Sequence, residues 1–169
     1  MYYLAQFAFY LQGLLFLLLT TDPKRVDHSV YVCHHLVTLS LIGGSYLLGW
    51  TRSGMTIFVI HDLSDLFLHL GKFGKFWRSE LFAGIAWCSF VMSYVLFRLM
   101  YYPQIVISVW TDADVRHRMA PLEHLLFSLA LTLLQVLHLV WFGFIVRSVV
   151  RSLQSGKWTD ARGEQDKDA

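Results

Sequence analysis

Leu11-Gln12-Gly13-Leu14-Leu15-Phe16-Leu17-Leu18-Leu19 ends a stretch from Tyr2 that holds no charged side chain. About 20 mostly apolar residues let a helix cross a bilayer. The stretch has the look of a secretory signal core, but it lacks a basic leading segment and an A-x-A site, and more apolar runs follow. It therefore reads as the first of several spans. Four more follow at Ser29–Leu48, Gly54–Leu70, Glu80–Tyr101 and Leu122–Val150. The third is short and charged; the last is long enough to tilt or to run past the membrane surface. The expected fold is an all-α integral membrane protein with about five transmembrane helices in view.

Composition agrees. Of 169 residues 56% are hydrophobic and only 15% charged, and the mean hydropathy is +0.49. Roughly 25% charged is usual for a soluble domain, so lipid must be the solvent for much of this surface. The net charge of +2 comes without a basic run, which gives no case for a nucleic-acid partner. Cys33 and Cys88 lie inside apolar segments and read as reduced core thiols. After Arg151 the composition turns polar, so residues 1–151 are expected to form the membrane domain and 152–169 a disordered, charged tail. Met1 stands one residue before the first span, and this motivates the expectation of a missing N-terminal part with further helices.

With five spans the two ends lie on opposite sides. One side collects Lys24, Arg25, Lys72, Lys75, Arg78, Arg147, Arg151, Lys157, Arg162 and Lys167; the other has Arg52, Arg98, Arg116 and Arg118. The positive-inside rule then makes the tail cytosolic.

The chemistry-bearing residues fall in two spans. The second holds Cys33-His34-His35-Leu36-Val37-Thr38; the third holds His61-Asp62-Leu63-Ser64-Asp65, with His69 and Lys72 beyond. An ionised aspartate at a bilayer centre costs about 2.5–3.5 kcal/mol on the mildest scale, so such residues persist where they face protein or a wet cavity. His61, Asp65 and His69 are four apart and share a helical face, and Asp62 and Asp65 are three apart. The short Trp50–Ser53 connection leads to the expectation that the His34–His35 pair faces this stripe in a cavity open to the cytosol. Gln135, His138 and Trp141 share a face of the last span and are candidates for lining it.

Together these residues resemble a known family. His34-His35-Leu-Val-Thr38, Ser45-Tyr46, Arg52-Ser-Gly54, His61-Asp62-Leu-Ser-Asp65-Leu-Phe-Leu68 and Lys72 resemble the Lag motif of ceramide synthases, which are TLC-domain membrane proteins. The likeness extends to Tyr3, Gln6 and Gln12, to Arg98 with Tyr102-Pro103, and to Leu137-His138 with Trp141-Phe142. It implies an acyltransferase of the endoplasmic reticulum that moves a fatty acyl group from acyl-CoA to the amine of a sphingoid base. His34, His35, His61, Asp62 and Asp65 fall on the family's catalytic positions, and His69, Lys72, Arg98, His138 and Trp141 are expected to contact substrate. No bound cofactor or metal is expected; acyl-CoA is the co-substrate, and a homo- or heterodimer is a possible assembly. This chain departs from the family at His69, where an acidic residue is common, and near Phe76, where a tyrosine is. The family's domain also normally includes helices before the first one here, so the resemblance leads to the expectation that the bundle or barrel in view is partial.

Amide formation needs a neutral amine, and a neutral imidazole can take the ammonium proton. A carboxylate such as Asp62 or Asp65 would suit His61 as a tautomer-fixing partner. Alternatively, a histidine attacks the thioester and the amine opens the acyl-imidazole. Lys24, Arg25, Lys72, Lys75 and Arg78 stand where CoA phosphates would arrive. Two other classes compete: a di-iron hydroxylase, for which the isolated His34-His35 pair lacks the needed histidine boxes, and a non-catalytic TLC-domain protein for lipid binding, sensing or translocation.

Overall fold

The computed structural model describes residues 1–19 and 27–155. The Asp22–Arg25 connection with Lys24 and Arg25, and the tail beyond Ser155, lie outside the described residues. Within them the chain is helical, without strands: α1 (Tyr2–Leu19), α2 (His28–Leu47), α3 (Thr51–Phe76), α4 (Glu80–Tyr94), a π-helical segment (Val95–Tyr101), α5 (Tyr102–Thr111), α6 (Ala113–Arg118) and α7 (Pro121–Ser155).

Four helical stretches among the described residues are long and apolar enough to cross a membrane: α1, α2, the continuous run Glu80–Thr111, and α7. The third expected span is the exception. Its helix α3 is 26 residues long, but Arg52, Asp62, Asp65, Lys72 and Lys75 dilute its apolarity. The fourth expected span runs ten residues beyond Tyr101, because α5 continues it to Thr111. The last continues helically to Ser155, past the boundary placed after Arg151.

The described chain divides into two compact units, residues 1–51 with 136 onward, and residues 52–135. In the first, α1 packs on α2 through a narrow stripe, Tyr3, Tyr10 and Leu14, which are the buried residues of α1. The Tyr3 and Ser45 hydroxyls hydrogen-bond at 2.7 Å. Outward-facing Leu15, Phe16, Leu18 and Leu19 would be a liability in water and are ordinary against lipid. α2 closes with Gly49 at φ 78°, its amide reaching the Tyr46 carbonyl while Trp50 reaches Ser45, the bond pattern of a Schellman cap.

In the second unit, α4 returns along α3 so closely that a Cβ on Gly74 would stand 2.9 Å from the Ala83 amide nitrogen. The turn repeats the Schellman pattern, with Arg78 donating to the Lys75 carbonyl and Ser79 to Gly74. Here the left-handed position is held by Arg78, at φ 56°. The π-helical segment precedes Pro103, which has no amide proton and whose ring would press on the carbonyl four residues back in an α-helix. The wider turn gives the Tyr102 amide a bond to the Phe97 carbonyl, five residues back. The far end is pinned by His124 Nε2 donating to the Val109 carbonyl at 2.8 Å and Trp110 Nε1 donating to Thr132 at 3.0 Å. Both cysteines are free thiols, Cys33 half-buried and Cys88 exposed rather than in the core.

Candidate active site

The buried face of α2 consists of His34, His35, Thr38, Ile42 and Ser45. His35 Nδ1 lies 3.0 Å from the Tyr31 carbonyl oxygen. A carbonyl can only accept, so Nδ1 carries the hydrogen and the neutral ring has its lone pair on Nε2. That Nε2 points at α1, where a Cβ placed on Gly13 would stand only 2.7 Å away. Aromatic rings enclose the pair. Tyr31 and Tyr10 stand 4.9 and 5.6 Å from His35 between ring centres, Trp141 of α7 meets His34 edge-on at 5.0 Å, and the two imidazoles are 5.7 Å apart at 82°. Trp141 and fully buried His138 belong to one stripe of α7 that continues through Ile145 and Ser148.

In the second unit His61 is buried on α3 with Phe58 and Ser64. Its Nδ1 donates to the Ile57 carbonyl at 2.7 Å. That bond fixes the tautomer from the backbone, a task for which Asp62 or Asp65 was the expected partner. The Tyr102 ring meets His61 edge-on at 5.5 Å, and its hydroxyl donates to the Leu131 carbonyl at 3.1 Å.

Asp65 turns to Arg98. One guanidinium nitrogen donates to Asp65 Oδ1 at 2.6 Å and to the His61 carbonyl at 3.3 Å. The guanidinium carbon stands 5.2 Å from the centre of the Tyr94 ring. Arg98, expected to contact substrate, is buried against protein groups. Asp62 is half-buried, while His69 and Lys72 are exposed; they do not join the buried set, although the four-residue spacing placed His69 above Asp65. His34 and His35 belong to the first unit and His61, Asp62 and Asp65 to the second.

The TLC domain pattern matches residues 1–147. The chain belongs to the TLC-domain family. Its four apolar helices and this domain make it a multi-pass membrane protein. This TLC-domain chain is 36% identical over 165 residues to ceramide synthase LOH1 of Arabidopsis thaliana, covering 91% of this chain and 52% of the relative. It is 32% identical over 175 residues to ceramide synthase hyl-2 of Caenorhabditis elegans, covering 98% of this chain and 53% of the relative. ASC1-like protein 3 of Oryza sativa subsp. japonica matches at 31% over 160 residues, 92% of this chain and 56% of the relative. The chain spans about half the length of the curated relatives it matches.

Several residues beside the histidines of this TLC-domain chain are inconspicuous in its sequence. Tyr10 and Tyr31 look like ordinary apolar filling in a segment rich in aromatics, and Gly13 like ordinary small-residue packing. Asp27 lay in a charged connection, yet it is seven residues before His34, a helical repeat that could have drawn notice.

Proposed function

We propose that the chain carries the acyl-transfer centre of a ceramide synthase, moving a fatty acyl group from acyl-CoA to a sphingoid base in the endoplasmic reticulum membrane, with its C-terminal tail cytosolic. The observation that carries this reading is the tautomer of His35. With Nδ1 bound to the Tyr31 carbonyl, Nε2 is the basic atom, on a ring flanked by those of Tyr10 and Tyr31. His61 presents the same arrangement through Ile57. The names of the relatives support the same conclusion.

His34 or His35 is the basic or nucleophilic group, and His61, Asp62 and Asp65 support it. An imidazole lone pair removes a proton from the sphingoid ammonium, and the freed amine attacks the thioester carbonyl. The C–N bond forms, the C–S bond breaks, the CoA thiolate leaves with the proton returned from imidazolium, and the freed imidazole passes the second proton lost by the nitrogen to solvent. In the covalent variant the imidazole first takes the acyl group from sulfur, and the amine then takes it from nitrogen. Both routes begin with a neutral imidazole. Exposed Lys72, Lys75 and Arg78 are suited to CoA phosphates and exposed His69 to a lipid substrate, while buried His138 and Trp141 act from the packed stripe of α7, Trp141 against His34. Arg98 acts by holding Asp65 rather than by touching substrate.

The test uses microsomes from cells stripped of their own ceramide synthases. They express this chain, alone and within a longer reading frame matching the length of its relatives, beside His34→Ala, His35→Ala and Asp65→Asn at matched levels. Ceramide from wild type and not from the histidine variants, measured by mass spectrometry over a panel of acyl-CoAs, supports acyl transfer. No ceramide from well-expressed long protein overturns it and favours lipid binding or translocation.

A further inference from the structure

Asp27 is in an unusual position for a carboxylate. It stands at the N-cap of α2, where an aspartate ordinarily accepts a hydrogen bond from a first-turn amide. Its side chain makes no such bond, and the residue is 1% exposed. Oδ2 accepts instead from Trp141 Nε1 at 3.4 Å. The same indole stands edge-on to His34 with centres 5.0 Å apart and to Tyr31 at 5.7 Å. Asp27, Tyr31 and His34 are spaced by four and three residues, one face of α2. The carboxylate therefore lies two turns from the histidine on a single helix face, and an indole from α7 bridges them.

We propose that Asp27 is a positioning residue for acyl transfer, anchoring the Trp141 indole against His34. This rests on the function proposed above. An indole has one N–H, so tying it at Nε1 fixes the ring about its own axis and holds it against the imidazole. The histidine keeps a fixed orientation through the step that changes its charge.

Two substitutions separate this role from helix capping. Asparagine and serine are both good N-caps, but only asparagine retains an acceptor oxygen at the reach of Trp141. Asp27→Asn is expected to keep kcat within about threefold of wild type. Asp27→Ser and Trp141→Phe are each expected to lower kcat about tenfold with KM for acyl-CoA within about twofold, and the double variant no further than the worse single one, as coupled neighbours behave. Wild-type kcat in Asp27→Ser, or single effects that multiply in the double variant, would overturn the proposal. If the wild-type protein makes no ceramide, the acyl-transfer reading falls separately. The anchoring is then read from the rate at which diethyl pyrocarbonate modifies His34 in membranes, mapped by mass spectrometry. Asp27→Ser and Trp141→Phe raise that rate together and Asp27→Asn does not; equal rates in all four proteins overturn it.

Discussion

Arg98 binds Asp65 at 2.6 Å from inside a π-helical turn, and the two ends of the pair differ in environment. The Arg98 side chain is 6% exposed and that of Asp65 40%. Losing one partner is therefore not equivalent to losing the other. Asp65→Ala leaves an enclosed cation without its carboxylate and is expected to destabilise by about 1–3 kcal/mol. Arg98→Met leaves a carboxylate that remains partly open and is expected to destabilise less. Thermal unfolding in detergent, followed by tryptophan fluorescence, checks the order; Arg98→Met as the more damaging change would contradict it.

Gly13 is expected to be indispensable to activity while dispensable for folding. Alanine there places a carbon 2.7 Å from His35 Nε2, and the ring has little room to yield because Tyr31 holds Nδ1. Helix propensity runs the other way, favouring alanine by about 1 kcal/mol. Gly13→Ala should express as well as wild type and lose on the order of tenfold to a hundredfold in ceramide formation, as displaced catalytic groups do. Normal activity would mean that His35 Nε2 takes no part.

Tyr102 separates ring from hydroxyl. Its ring contacts His61, and its hydroxyl is bonded to the Leu131 carbonyl. Tyr102→Phe should retain activity and lose about 1 kcal/mol of stability. Tyr102→Ala, which opens a cavity at a residue with no exposed surface, should lose about 3–5 kcal/mol and most activity with it. Melting temperatures set beside acyl transfer for both variants decide this, and an inactive Tyr102→Phe would assign the hydroxyl a chemical role.

Arg78 occupies a left-handed position that Gly49 fills in the corresponding turn after α2. Arg78→Gly should raise stability by several tenths of a kcal/mol, because glycine accepts positive φ without steric conflict. If Arg78 also meets CoA phosphates, the same variant shows a higher KM for acyl-CoA. A stabilised protein with unchanged KM removes Arg78 from the binding surface.

The helical membrane architecture was legible because length and apolarity suffice to mark a span, and four of the helices pass on those two properties alone. The histidines and aspartates were legible because ionisable groups are conspicuous among Leu and Phe. Their partners were not. His35 and His61 take their tautomers from the backbone carbonyls of Tyr31 and Ile57, and a carbonyl carries no residue identity. Arg98 was noted, but its pairing with Asp65 joins positions 33 residues apart, and helix spacing reports only neighbours within a few turns. The π-helical turn was equally hidden, since Pro103 signals a distorted helix without saying which distortion.

The polarity of α3 has a consequence for biogenesis. Machinery that sorts emerging segments by apolarity will admit α1, α2 and the Glu80–Thr111 helix on their own merits. It has much less reason to retain α3, with two aspartates and two histidines between His61 and His69. Within its unit that helix is held by Arg98 and by the close approach of α4 at Gly74, both supplied by chain synthesised after it. Its insertion is thus expected to wait for later helices, and substitutions at Arg98 or Gly74 to surface as degradation of newly made protein as well as lost catalysis.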